Sequence, residues 1–271
     1  MLGQLESLQK MNSQVIILAR RSGDHCNRLF QSLHYHAYCL EHGIYFWNPT
    51  LIGMLRRQAV SMEWIGDLIN RSINHVLRRF EKFFGFSPIL DAPRSSTLLQ
   101  MVGGWNYRCH HLTDKYRQQL SACYRLTIGS LSTLEKQHLA ELAAMHSAHT
   151  RLVGVHVRRG DYLDWMGGRY FYDDTVYQRY IQEIRDFFAA QGISCIIVVC
   201  SNDSKRLDLG QDHSTAGSWV FDQLVLQACD MIVGPPSTFS LWASYISSTP
   251  YIHIEDPTQA FNLSSAQICP G

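Results

Sequence analysis

Three observations predict an α/β fold built on parallel sheet for this chain. Short runs rich in Val and Ile recur along it, amphipathic segments of helical period separate them, and glycine- or serine-containing turns join the two. Continuously apolar strands alternating with helices belong in a parallel sheet covered on both faces. The 271 residues, 46% of them hydrophobic, suffice for one large domain or two compact halves.

The first unit of this pattern opens the chain. Residues 15–19 (Val-Ile-Ile-Leu-Ala) read as a strand and residues 21–27 as a turn-rich segment. Between Arg28 and His42, Leu29, Phe30, Leu33, Ala37 and Leu40 share one helix face, and Gly43 sits where a helix end wants glycine. Ile44–Trp47 is then the next strand, completing a βαβ order. Residues 62–85 and 114–146 carry mixed helical spacings, and Met101–Trp105 marks a break; no strand is assigned between about 50 and 150.

From residue 151 the alternation is regular. Strands are predicted at 152–157, 194–200, 231–234 and 251–254, with helices at 175–191, 217–229 and 237–247. Ligands of such sheets bind beyond the carboxyl ends of the strands. His156–Asp161, Ser201–Asp203 and Gly234–Thr238 all fall there.

Composition narrows the function classes. Lys+Arg 24 against Asp+Glu 23 gives a formal charge of +1, so no basic field points to nucleic acid. Eight cysteines without a C-x-x-C pair, several in apolar runs, fit free buried thiols in a reducing interior. Residues 1–10 are polar and lack a secretory apolar core, and no run reaches the length needed to cross a bilayer. These features predict a soluble chain in the cytoplasm, or one peripheral to a membrane.

Chemistry concentrates in His156-Val-Arg158-Arg159-Gly-Asp161-Tyr162. Arginine's planar fork matches phosphate oxygens and stays charged. Alternation along an extended strand sends His156 and Arg158 to one side and Arg159 to the other, so Arg158 is the diphosphate candidate and Arg159 the structural one. Gly234-Pro-Pro-Ser237-Thr238 ends a strand and caps a helix, whose first turn offers free amides to an anion. A plain cap is the simpler use of Ser237, and a satisfied core histidine the simpler use of His156. Asp222, a lone carboxylate in an apolar helical stretch, could accept an N–H pair such as the edge of guanine; solvent exposure or a cap is its simpler fate. Gly23 and Asn27 lie in the first strand-to-helix loop, where glycine lets backbone approach a ligand. Asp173-Asp174 suits a helix start better than a metal pair, and His34 and His36, two apart on a helix, do not share an ion. Trp47, Trp64 and Trp105 could stack on sugars, though core packing is the simpler fate of each.

In this order the motifs resemble the α-1,2-fucosyltransferases (glycosyltransferase family 11-like), within a superfamily that includes α-1,6- and protein O-fucosyltransferases. Residues 156–162 are similar to the family's H-x-R-R-G-D-Y motif, Val199–Asp203 to its second block, Asp222–Ala243 to its third, and Gly23–Gln31 loosely to its amino-terminal block. Asn202, Pro235-Pro236 and Arg28 depart from the usual residues and bear on acceptor and linkage.

The resemblance implies a GT-B type fold, two Rossmann-like halves with parallel sheets facing a cleft: residues 1–148 on the acceptor side and 149–271 on the nucleotide-sugar side. It implies an inverting transfer of fucose from GDP-fucose to a glycan hydroxyl, α-1,2 to galactose, with no metal and no further cofactor. Donor contacts would come from His156, Arg158, Asp203, Asp222, Ser237, Thr238, Gly23 and Asn27. Arg158 would stabilise the leaving phosphate, and Asp161 and Asp164 are the carboxylates nearest to serve as base. The partners implied are a nucleotide-sugar donor and a glycan acceptor; oligomeric state is not legible. Another nucleotide sugar, another linkage or acceptor, or a binding protein without catalysis are the alternatives.

Overall fold

The computed structural model describes residues 14–51, 63–94, 97–203, 207–215 and 218–271, except the side chains of 50, 63–67 and 70. The polar start at 1–10, residue 62, Gly217 and the side chain of Trp64 lie outside the described residues. The chain divides into two α/β units, residues 1–125 with 270–271, and residues 126–269. Each is built on an all-parallel sheet.

In the first unit the strand order is β2-β1-β4-β3. β1 (Val15–Leu18) and α1 (His25–His42) follow the sequence reading, and Gly43 closes α1 with φ 63°, a left-handed value that glycine adopts without cost. β2 is Tyr45–Trp47 and α2 Glu63–Phe84. The middle of the chain also holds two strands the sequence reading did not assign, β3 (Ile89–Leu90) and β4 (Leu99–Val102), and β4 lies between β1 and β3. The break at Met101–Trp105 is the end of that inner strand. Gly103 and Gly104 are needed there: an added Cβ would come 2.7 Å from the Arg20 Cβ and 2.4 Å from the Asp91 carbonyl oxygen respectively. Helical residues from 110 onward form not one segment but α3 (His110–Lys115), α4 (Arg117–Tyr124) and α5 (Thr133–Met145), separated by a turn around Ile128–Ser130.

α5 belongs to the second unit, so the division falls before the expected 148/149 boundary. Glu135 supplies the reason. One carboxylate oxygen closes a capping box with Ser132 at the start of α5, accepting from its N–H at 2.8 Å. The other accepts from the N–H and hydroxyl of Ser218, both at 3.0 Å, at the start of α7 (Trp219–Ala228).

The second unit has strand order β7-β6-β5-β8-β9, formed by β5 (Thr150–Val157), β6 (Ser194–Ser201), β7 (His213–Ser214), β8 (Met231–Gly234) and β9 (Tyr251–His253). β7, two residues long, is absent from the sequence reading. Its helices are α6 (Asp174–Ala189), α7 and α8 (Thr238–Ser247). Strand alternation sorts the faces of β5. Val153, Val155 and Val157 join Tyr177, Ile181, Ile184 and Phe188 of α6 in one core. Gly154 faces the other way, where a Cβ would lie 2.7 Å from the Leu226 side chain of α7. The chain leaves β5 in one direction to β6 and in the other to β8, so the strand order reverses between β5 and β8. Open α/β sheets bind ligands in the crevice at such a reversal.

All eight cysteines are free, and all but Cys123 and Cys195 are buried. Asp173 caps α6 by accepting from Val176 N–H at 3.1 Å, as a helix start requires. His34 accepts from the Cys109 N–H at 3.2 Å while His36 meets the Tyr124 hydroxyl at 3.1 Å, so the two diverge. Trp47 is exposed and Trp105 lies under the Arg108 guanidinium at 4.4 Å, neither in the core. Among the described residues no helix is long and apolar enough to cross a membrane.

Candidate functional site

The arginine pair lies just beyond β5, and its members part. Arg159 turns into the protein: its guanidinium donates to the Tyr172 carbonyl and to Asp174, and lies over the rings of Phe171 at 5.2 Å and Tyr177 at 5.3 Å. Its backbone is clamped by Asn202, which accepts from Arg159 N–H at 2.7 Å and donates to Arg159 O at 3.2 Å. An amide both accepts and donates, so Asn202 closes this two-way clamp where a carboxylate could only accept.

Arg158 stays at the surface of the crevice. It pairs with Asp161 at 3.0 Å and sits 5.2 Å over the Tyr162 ring, while its Nε is buried without a protein partner. The Tyr162 hydroxyl donates to the Pro236 carbonyl at 2.6 Å, tying the arginine loop to the β8–α8 turn. Ser237 caps α8, its hydroxyl accepting from Phe239 N–H at 3.2 Å, so the proline pair ends β8 and the serine starts the helix as expected. Thr238 opens the first turn. The arginine loop and a helix N-terminus thereby meet at the strand-order reversal.

His156, one residue inside β5, faces the α7–α8 side and stacks on Phe239, ring centroids 5.0 Å apart. Gly234 next to it cannot carry a side chain, since a Cβ would lie 2.4 Å from the His156 carbonyl oxygen. Burial, then the Arg158 charge and His253, depress His156 to a pKa of about 3, so it is neutral, and its Nδ1 has no protein partner. His253, on β9, is likewise lowered to about 4 by burial, with Nε2 unpartnered. Sequence reasoning missed His253; its place in the last strand was the signal available, and its interaction with His156 is seen only in the fold.

Asp222 lies in the first turn of α7, buried rather than exposed. Burial raises its pKa to about 7, opposed by a Thr215 hydroxyl hydrogen bond and reinforced by Glu135, and its Oδ1 has no protein partner. An ionisable group desolvated beside a crevice is a recognised mark of a binding site. The Cys200 thiol at the end of β6 points to the Asp222 carbonyl, which sets α7 against that strand. Asp203 follows β6, half-buried, its N–H donating to Ser201 Oγ at 3.0 Å. Asp161 and Asp164 are exposed on the short helical turn after the arginines.

Gly23 and Asn27 belong to the first unit. Gly23 has φ 62°, and an added Cβ would fall 2.2 Å from the Asn27 amide nitrogen, so the loop requires glycine. Behind it the buried Gln31 donates to the carbonyls of Arg20 and Gly103, both at 3.1 Å, and accepts from Ser22 N–H at 3.1 Å, joining the loop to the end of β4. Among the described residues no cluster of three His, Cys, Asp or Glu could hold a metal ion.

Residues 97–267 match the family model described as "Glycosyl transferase family 11". The chain belongs to glycosyl transferase family 11. Within family 11 it is 30% identical over 161 residues to galactoside alpha-(1,2)-fucosyltransferase 1 of Mus musculus, covering 55% of this chain and 41% of that one. It is 28% identical over 160 residues to the enzyme of the same name from Lagothrix lagotricha, covering 55% and 42%. The chain thus spans less than half the length of these relatives. Its fold resembles that of fucosyltransferase NodZ from Bradyrhizobium, with TM-score 0.51 and 15% identity over 91% of this chain and 97% of that one. A substituted form of Arabidopsis thaliana FUT1 in complex with GDP gives TM-score 0.52 and 10% identity over 93% and 73%.

Proposed function

We propose that this family 11 chain transfers fucose from GDP-fucose to a glycan hydroxyl, α-1,2 to galactose, with inversion at the sugar carbon and without a metal. The observation that carries the reading is the meeting of Arg158 with the start of α8 at the β5/β8 reversal, held together by the Tyr162–Pro236 hydrogen bond. Departure of GDP builds negative charge on the β-phosphate. Arg158, with a buried Nε still able to donate, stabilises that charge where it forms, and the Ser237 and Thr238 end of α8 shares it. In this reading Arg158 and the start of α8 neutralise the diphosphate in place of a divalent ion.

Asp222 accepts the N–H edge of guanine through its unpartnered Oδ1, and neutral His156 contacts the ribose through Nδ1. Asp203 completes the donor side from the end of β6. Asp161 is committed to Arg158, so its role is to orient the guanidinium. Asp164, exposed on the same turn, is the carboxylate left to take the proton of the acceptor hydroxyl. The names of the family 11 relatives support galactoside and the α-1,2 linkage.

The test is GDP release from GDP-fucose against a panel of galactosides, with and without chelator, and NMR of the product's anomeric carbon. Galactoside-dependent release that survives chelation and yields the inverted anomer is expected. Tight GDP binding with no release to any acceptor would reassign the chain to nucleotide-sugar binding. Stabilisation by UDP rather than GDP would reassign the donor.

A further inference from the structure

The carboxyl-terminal half of α2 exposes an apolar stripe with no counterpart in the chemistry above. Val76 is 65% exposed, Phe83 82% and Phe86 59%, and Phe84 is also exposed. Val76, Phe80 and Phe83 stand at i, i+4 and i+7, on one face of the helix. Phe80, Phe83, Phe84 and Phe86 contact one another ring to ring, with centroids 4.4 to 6.2 Å apart, rather than a core. The register Ile89↔Met101 puts Ser87 level with Leu99, so exposed Leu98 and Leu99 extend the patch along the amino-terminal edge of the sheet.

A basic stripe runs beside it. Arg71, His75, Arg78 and Lys82 stand at i, i+4, i+7 and i+11, with Arg79 adjoining, and all five are exposed. The first turns of α2 carry Glu63 and Asp67, whereas residues 68–86 hold four Lys or Arg against a single acid. That acid, Glu81, is held by the Ser87 hydroxyl at 2.6 Å and by Arg20 at 3.2 Å.

We propose that α2 and the Phe83–Phe86 turn dock the protein on an anionic phospholipid bilayer, the phenylalanines entering the headgroup–acyl boundary and the cations meeting lipid phosphates and carboxylates. Charge complementarity decides the occupant. An apolar stripe flanked by Lys and Arg is the composition of a helix lying in a membrane interface, whereas a second copy would set one basic stripe against another.

Flotation of the full chain with phosphatidylcholine vesicles, with and without phosphatidylserine, tests this. Binding to the phosphatidylserine vesicles alone, weakening as salt rises, is expected. Arg78→Gln and Lys82→Gln should each weaken it by about fivefold, and Phe83→Ser with Phe86→Ser by roughly tenfold or more. Unchanged thermal unfolding of these variants establishes that they fold. No flotation, equal flotation with both vesicle types, or binding indifferent to the phenylalanine changes would overturn the proposal. So would a concentration-dependent dimer that Phe83→Ser abolishes.

Discussion

Replacing each arginine of the pair in turn separates chemistry from architecture. The Arg158 side chain is 20% exposed and its partner Asp161 59%, so that ion pair contributes under about 1 kcal/mol to folding. Arg158→Ala should therefore leave thermal stability nearly unchanged. If the guanidinium stabilises the departing diphosphate, its loss costs about 2–4 kcal/mol in the transition state, roughly 30- to 1000-fold in kcat/KM. Arg159 differs: it is 8% exposed and bonded to the Tyr172 carbonyl and Asp174. Arg159→Ala leaves that carbonyl buried and unpaired, costing about 2–3 kcal/mol of stability, which lowers Tm by roughly 5–10 °C for a unit of this size. The assay pairs GDP release from GDP-fucose with thermal unfolding of each variant. Arg158→Ala turning over at the wild-type rate while folded would refute the reasoning, as would equal stability losses in the two variants.

Three further outcomes are expected. Asp222 has a pKa raised to about 7; if guanine binds its ionised form, as proposed above, GDP affinity should fall with acidification, approaching tenfold per unit well below about pH 7, and Asp222→Asn, measured by calorimetry, should keep only the part of this dependence that belongs to GDP itself. His34 and His156, lowered from 6.5 to about 3, and His36 and His253, lowered to about 4, are neutral when folded and protonate more readily when unfolded. Their stability is present above 6.5 and lost as pH falls, by about 2 kcal/mol each near pH 5. Urea unfolding across that window should show it, and a flat profile would contradict neutral burial. Glu135→Ala removes partners from two helix starts at once, for a loss of about 1–2 kcal/mol seen in urea midpoints.

Legibility followed burial and length. β5, β8 and the carboxyl-terminal half of β6 are buried, so their sequences are short apolar stretches rich in Val and Ile, which length and β-branched content mark as strands. β3 and β7 are two residues each and β4 begins at an exposed Leu99, too little apolar sequence to register as strands. Around them the Gly103-Gly104 pair reads as an interruption, though it is the close packing of an inner strand's end that demands it. Within the site, alternation separated Arg158 from Arg159 before any coordinates, because it depends only on the backbone. The burial of Asp222 was not legible, since it depends on Thr215 and Cys200 arriving from other elements. Nor was the clamp by Asn202, in which a residue that departs from the family pattern serves the arginine loop's backbone.

The two-ended grip of Glu135 bears on how the carboxyl-terminal half could be prepared alone. Cut at residue 149, a fragment would discard the carboxylate that holds Ser218 and, with it, the anchoring of the turn that carries Asp222. It would also lose His146, which meets Asp230 at 3.0 Å, while Asp230 in turn accepts from the Leu152 amide at 2.8 Å. A fragment starting at Leu126 retains these ties and, still much shorter than the full chain, is the piece to express when isotope-labelled protein is wanted.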